Sequence, residues 1–435
     1  MLKHPSLQAP SMGLTSTLQR SFISSVFVPI RVAGLLAHKK YAKLCFKVNT
    51  MAEEVITMNS IRWGMRVVSV LALGLVVVGC GSLLFNNRLD QGERYVSLEA
   101  SSLNSENKVI QHIIAKQEYA AALEYWTIDR MKEAKPMMPG VEGISSRGMS
   151  SLGPSGPPEE IPGQPPAVKY SDRGESLRLR PQLSYKYPWP YTRYEVFVPY
   201  IIYPYSTMGK VFFVGSDGQD YQCSAAVVIT NTLRAVWTAG HCVHAGPGGD
   251  WAGLWVFVPA YREGNTPLGI WVATELWTFY EWAYKGNLRY DQGVAIIMDD
   301  IDTGWRIGDV TGTLGIAWNQ ARNQHYNVFG YPAWDQRAPD RPFDGEHLIT
   351  CQSWTAVNGS PKGKGPTTQG IGCDMTGGSS GGPWVIRFGG NGGFLNSINS
   401  YKPVGKNGLF SKPEEIYGPY FDSWTEALWD AVTDR

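Results

Sequence analysis

Three short segments carry the residue types needed for a nucleophilic acyl transfer. In the first, Cys223-Ser-Ala-Ala-Val-Val-Ile-Thr passes through a turn at Asn231–Arg234 into Ala235-Val-Trp-Thr-Ala-Gly-His241-Cys242, so two strands end on a histidine. The cysteine beside His241 can bridge back to Cys223 and fix the histidine's backbone, since a general base must be held within hydrogen-bond reach of its nucleophile. In the second segment, Asp291 stands at the entrance of the apolar run Gly293-Val-Ala-Ile-Ile297. A carboxylate there can accept the proton on a histidine Nδ1 and set its tautomer. In the third, Gly377-Gly378-Ser379-Ser380-Gly381-Gly382-Pro383 surrounds a serine with glycines. That composition allows a tight turn that exposes the hydroxyl and aims backbone N–H groups at one point, where they would stabilise an oxyanion.

Other chemistries for these residues fare worse. His241-x-x-His244 with Cys223 and Cys242 is not a standard zinc spacing, so no metal is assigned. Gly378-x-Ser380-x-Gly382 also matches the nucleophile elbow of α/β-hydrolases, but that fold takes its histidine after the serine, and none follows His347. His325 and His347 have no partner in the sequence and read as surface residues.

Thr238-Ala239-Gly240-His241-Cys242 resembles the histidine box of the chymotrypsin/trypsin-like serine peptidases, and Gly378-Ser-Ser-Gly-Gly-Pro383 resembles their serine box. The chain order His, Asp, Ser, at gaps of 50 and 89 residues, is similar too, and the likeness spans about residues 196–435. It implies two antiparallel β-barrels with a cleft between them, and hydrolysis of peptide bonds in proteins through an acyl-enzyme on Ser380. By the same resemblance His241 is the general base and then the acid, Asp291 orients it, and Gly378 and Ser380 supply the oxyanion-hole N–H groups. Ser400, in Ile398-Asn399-Ser400-Tyr401, is similar to the serine that supports the triad's acid. Asp374, six residues before Ser380, stands where trypsin pairs an acid with a substrate Arg or Lys. Cys373 beside it has no counterpart in trypsin, so basic and acidic cleavage preferences both stay open, as does a solvated turn residue beside a disulfide.

Two departures bear on activation. Trypsin has an acid just before its nucleophile, which receives the new N-terminus after zymogen cleavage; Ser379 takes that place here. No Ile-Val-Gly-Gly start is visible, and Met208-Gly209-Lys210-Val211 occupies the comparable region. In this respect the serine box is closer to the glutamyl endopeptidase branch, and prosegment removal would simply uncover the cleft. The competing function from another class is an inactive protease homologue serving as a surface binding or adhesion module. Such proteins usually lack a triad residue, and all three are present. No metal or organic cofactor is implied.

The elements that must hold these residues are short. Apolar runs at Val211–Val214, Ala225–Ile229, Trp255–Val258, Gly293–Met298, Tyr326–Phe329 and Pro383–Ile386 are punctuated by Gly, Asn, Asp and Pro. With 48 Gly, 28 Pro, 22 Tyr and 16 Trp in the chain, this predicts strands and turns over helix. The expected fold is all-β: two six-stranded antiparallel β-barrels of the trypsin-like type over residues 196–435. Phe421–Val432 is the one clear helix of that body, with Ser423 or Asp422 as cap. Residues 86–135 read as a helical prosegment, with Thr127 capping Ile128–Lys135, and Tyr125–Met131 resembles the prosegments of exported bacterial peptidases of this family. Residues 136–195 are rich in Pro, Gly and Ser and read as a semi-extended linker, a natural place for processing.

The chain's 39 basic and 38 acidic residues are unevenly spread. Residues 1–66 hold nine of the basic and two of the acidic ones, leaving 30 basic against 36 acidic in the remainder, so nothing points to nucleic acid. Val67–Phe85 is uncharged and follows Arg62 and Arg66, which suits a signal or membrane anchor. Within it Val77-Val78-Gly79-Cys80 looks like a bacterial lipoprotein processing site; an uncleaved membrane helix and an ordinary cleaved signal are the other two readings. All three export the rest of the chain, to an extracellular or cell-surface location. Residues 1–50 resemble an organelle transit peptide, or precede a true start at Met51, Met58 or Met65. Cys223, Cys242, Cys351 and Cys373, behind such a segment, read as two disulfides in an oxidising compartment. Of the three pairings open to four cysteines, the sequence-local choice is Cys223–Cys242 with Cys351–Cys373. The expected partners are protein or peptide substrates, met by a monomeric peptidase domain.

Overall fold

Apolar runs of four to eight residues bounded by turn formers are too short for stable helices and long enough to cross a sheet. The computed structural model describes residues 108–148, 153–168, 182–185, 191–198, 200–361, 368–412 and 414–435. In chain order these hold β1 (Val109–Ile113), α1 (Lys116–Tyr125), α2 (Ile128–Glu133), β2 (Lys135–Pro136), β3 (Gly140–Val141), β4 (Ile144–Gly148), β5 (Glu159–Ile161), β6 (Gln182–Tyr185) and β7 (Tyr191–Glu195). There follow β8 (Met208–Val214), β9 (Asp220–Val227), β10 (Ala235–Thr238), β11 (Gly253–Pro259), β12 (Trp271–Phe279) and β13 (Gly293–Ile297). They pair antiparallel in the order β11-β8-β9-β10-β13-β12, and β12 returns to β11, closing a six-stranded barrel.

The second sheet system contains β14 (Gly315–Trp318), β15 (His325–Gly330), β16 (Ile349–Pro361), β17 (Thr368–Gly372), β18 (Pro383–Gly389) and β19 (Gly392–Ile398), then β20 (Lys402–Pro403) and β21 (Glu415–Gly418). Six of them run antiparallel in the order β21-β17-β16-β15-β18-β19, with β14 parallel beside β19. Helix α3 (Ser423–Val432) closes the chain. This is the mostly-β, two-part body with a C-terminal helix that the strand pattern predicts. Asp422 caps α3 by accepting from Trp424 N at 2.9 Å, and Thr425, Leu428 and Val432 are buried. A fully buried Leu or Val side chain contributes roughly 1.5–3 kcal/mol, so burial of this face helps to hold the helix in place.

The N-terminal part differs from a simple helical spacer. Val109–Ile113 is a strand, paired antiparallel with the outer half of β12, from Val109↔Phe279 to Ile113↔Glu275. A free strand edge presents unpaired N–H and C=O groups, and a segment with three β-branched residues satisfies them. Thr127 does cap the second helix, accepting from Arg130 N at 3.3 Å. Between the helices Trp126 is buried against the Phe212 ring at 5.6 Å and donates from Nε1 to Leu254 O at 2.6 Å. The segment is thus part of the first barrel's wall.

The Pro/Gly/Ser-rich stretch also contributes strands: β4 and β7 pair with β16, β6 with β7, and β5 with β14. Ladder hydrogen bonds need no apolar side chains, so a polar composition does not forbid this. The basic leader, the 67–85 segment and Cys80 lie outside the described residues. Among the described residues no helix is long and apolar enough to cross a membrane.

Trp126→Ala is expected to lower the unfolding free energy by about 3–5 kcal/mol, the usual cost of emptying a buried Trp site. Denaturant unfolding measures it, and an unchanged midpoint would mean that residues 108–134 are not integral to the barrel.

Candidate active site

Strand β10 ends at Thr238 and leads into one turn of 3-10 helix at Gly240–Cys242. The Cys223–Cys242 disulfide ties this turn back to β9. Gly240 is required by space: a Cβ there would stand 2.7 Å from Trp282 Cδ1 and 3.0 Å from Asp291 Oδ1. Asp291 follows a second 3-10 turn, Leu288–Tyr290, in which Asn287 accepts from Arg289 N. Its carboxylate is fully buried and takes three donors: His241 N at 2.8 Å, His241 Nδ1 at 2.8 Å and Ser400 Oγ at 2.6 Å. An ionised carboxylate only accepts, so the ring proton belongs on Nδ1 and the lone pair on Nε2. His241 Nε2 is buried and has no hydrogen-bond partner among the described residues. Behind the acid, Gln292 Nε2 donates to Thr425 Oγ1 at 3.1 Å, which braces Asp291 on α3.

The serine loop is held from three sides. Gly378 (φ +89°) and Gly381 (φ +76°) take the left-handed conformation, and a Cβ would meet Tyr331 O at 2.5 Å or Thr238 Oγ1 at 2.0 Å. Ser224 N donates to Ser380 O at 2.7 Å, Ser224 Oγ to Gly378 O at 2.9 Å, and Asn399 Nδ2 to Ser379 O at 2.9 Å. Ser379 donates its own hydroxyl to Thr376 O at 2.7 Å, so the residue before Ser380 is satisfied inside the loop. Asp335, gripped by Arg337, accepts from Gly377 N at 3.3 Å. Two contacts come from outside: Gly378 N donates to Met137 O at 2.8 Å, and Ser380 Oγ donates to Met138 Sδ at 3.8 Å.

The second disulfide, Cys351–Cys373, joins β16 to the residue before Asp374. Asp374 is fully buried and pairs with Arg193, and with Arg341 Nε at 3.5 Å. Arg341 also pairs with Glu414, while Lys402 Nζ donates to Cys373 O at 2.9 Å and lies 3.9 Å from Glu414. Burial pushes the Asp374 carboxyl up despite the pull of Arg193, Arg341 and Lys402. Burial likewise lowers the Lys402 ammonium to about 8, against Glu414 and Asp374. The Asp374 charge is therefore matched within the protein and is not that of a solvated turn. Cys223, His241 and Cys242, and likewise Cys351, Cys373 and Asp374, lie close enough for a shared metal ion, but in each group the two sulfurs are bonded to one another.

The structure thus brings His241, Asp291 and Ser400 into one hydrogen-bonded set, with both disulfides paired as the sequence-local choice has it. Sequence reasoning missed Asn399, although it adjoins Ser400 in a motif already singled out. It also missed Arg193, which sits in the presumed linker and reaches Asp374 only because β7 pairs with β16 in the register Cys351↔Arg193.

No protein-family model and no curated protein matches the chain. Solved structures do. A thermostable serine protease, AL20, from an extremophilic microorganism is 39% identical over 53% of this chain and 97% of its own, with a TM-score of 0.46. The protease Anisep from Arthrobacter nicotinovorans is 38% identical over 53% of this chain and 96% of its own, also at 0.46. On that identity across nearly the whole of both relatives, the chain belongs to the trypsin-like serine proteases.

Asp374→Asn would leave Arg193 and Arg341 facing a neutral amide, and breaking a buried ion pair costs about 3–5 kcal/mol. The expected outcome is a matching drop in chemical stability. An altered cleavage preference at unchanged stability would instead put Asp374 in contact with substrate.

Proposed function

We propose that the chain is an exported endopeptidase that hydrolyses peptide bonds in proteins through an acyl-enzyme on Ser380. The observation that carries this reading is the buried Asp291 carboxylate bonded at 2.8 Å to His241 Nδ1, which leaves Nε2, without a hydrogen-bond partner among the described residues, as the ring atom that can take a proton. In the mechanism, Nε2 takes the Ser380 proton as Oγ attacks the scissile carbonyl carbon. The oxyanion is held by the N–H groups of Gly378 and Ser380, and donors of this kind typically supply about 10²–10³ in rate. His241 then passes the proton to the leaving amine, and water repeats the cycle on the ester. Asp291 keeps the tautomer and stabilises the imidazolium, with Ser400 as its supporting donor.

Asp374 has no unspent charge to offer a Lys or Arg side chain, so the substrate class is stated as peptide bonds in proteins and not as bonds after basic residues. Two disulfides beside the site favour an oxidising compartment, in keeping with export by the 67–85 segment or by lipidation at Cys80. The peptidase body is taken to act as a monomer. An inactive homologue acting as a binding module gains no support from a site in which all three triad residues are present.

Prolonged exposure of the folded chain to a fluorophosphonate probe, followed by mass mapping, is expected to modify Ser380. His241→Ala should abolish the label. Ser380→Ala should lower peptide turnover by several orders of magnitude with little change in thermal stability. A folded wild-type sample that never takes the label would favour the binding-module reading.

A further inference from the structure

Residues 134–141 cross the serine loop and bond to both halves of the fold. On the first barrel, Gln222 Nε2 donates to Ala134 O at 3.0 Å, Met137 N donates to Gln222 O at 3.1 Å, and β2 lies parallel to β9. On the second sheet system, Lys402 N donates to Pro139 O at 3.0 Å, Val404 N to Val141 O at 3.0 Å, and β3 lies parallel to β20. Between these ends Gly378 N donates to Met137 O at 2.8 Å, and Arg337 Nη1 to Met138 O at 2.8 Å. Met138 itself is buried, with its sulfur against the Ser380 hydroxyl.

The direction of this strap decides what it does. In an acyl transfer the leaving nitrogen follows the attacked carbonyl along the chain and must reach His241 to be protonated. Here the carbonyl at Gly378 N belongs to Met137, yet the residues after it run to β20, away from β9. The residues before it lie on β9, the strand that Cys223–Cys242 ties to His241. The strap therefore fills the cleft with reversed polarity. Its carbonyl takes the oxyanion donor, and its thioether, which a hydroxyl does not attack, takes the nucleophile.

We infer that residues 135–141 are a built-in inhibitor, threaded through the cleft in the direction opposite to a substrate, so that the enzyme cannot cut the strap that blocks it. The inference rests on Ser380 being the nucleophile proposed above. Release then requires a cut made elsewhere by another active molecule, or displacement of the strap. Gly140 is a point of control outside the catalytic machinery. A Cβ there would stand 2.8 Å from Val404 Cγ1 and 3.2 Å from Arg337 Nη1, so a large side chain crowds the strap against both and favours its displacement.

The test compares the rate of fluorophosphonate labelling of Ser380 in the full chain, wild type against Gly140→Leu and, separately, Met138→Ala, with thermal unfolding recorded for each. Labelling is expected to speed up by about tenfold or more in either folded variant, which corresponds to about 1.4 kcal/mol in strap closure. The second variant serves if the first does not fold. Equal labelling rates in wild type and a folded variant would overturn the strap and leave the serine peptidase standing. Folded variants that never label, like wild type, would overturn both.

Discussion

The architecture around the cleft depends on one buried charge. A carboxylate removed from water is costly unless its lone pairs are met, and Asp291 is met by donors from two separate stretches of chain. The His241 backbone and ring come from the turn after β10, and Ser400 from the segment between β19 and β20. The first barrel and the second sheet system are thus bound through the same group that orients the imidazole. Around it the sequence supplies what the contact requires: a glycine at 240 to let the carboxylate approach, a disulfide to fix the histidine turn, and Gln292 bonded to α3 behind.

The serine loop follows a different logic from one ordered by a newly formed N-terminus. Its backbone is already held by Ser224, Asn399, Asp335 and its own Ser379 hydroxyl. These are hydrogen bonds within the body, one of them to a carboxylate already paired with Arg337, so the loop's backbone groups are met without a new charged terminus. A further set of charges lies under Cys373, where Arg193, Arg341 and Lys402 face Asp374 and Glu414. That cluster joins β7, the loop before β16, the segment after β17, β20 and the loop before β21, and so seats the start of the serine loop.

What was legible in the sequence follows from how far each feature is local. The histidine and serine boxes, the two short disulfide loops, the Thr127 and Asp422 caps and the terminal helix all depend on residues close in the chain. β1 and β4 to β7 leave only a weak side-chain pattern in the sequence, because joining the edge of an existing sheet asks only for backbone groups. Arg193 became meaningful only once β7 had a register on β16. Met137 and Met138 carry no motif at all; their contacts with Gly378 and Ser380 come from the path that β2 and β3 impose.

That path is anchored on either side of the cleft. Before Lys135 the chain is part of the first barrel's wall through β1 and Trp126, and beyond Val141 it continues into β4 and β5 on the second sheet system. A segment so tethered meets its site at an effective concentration of roughly millimolar or more, whatever the dilution of the protein. Cutting one arm leaves the other to hold it near, and the blockade stays unimolecular. Only after both arms are cut does occupancy become a matter of concentration, fading as the molecules disperse into a larger volume.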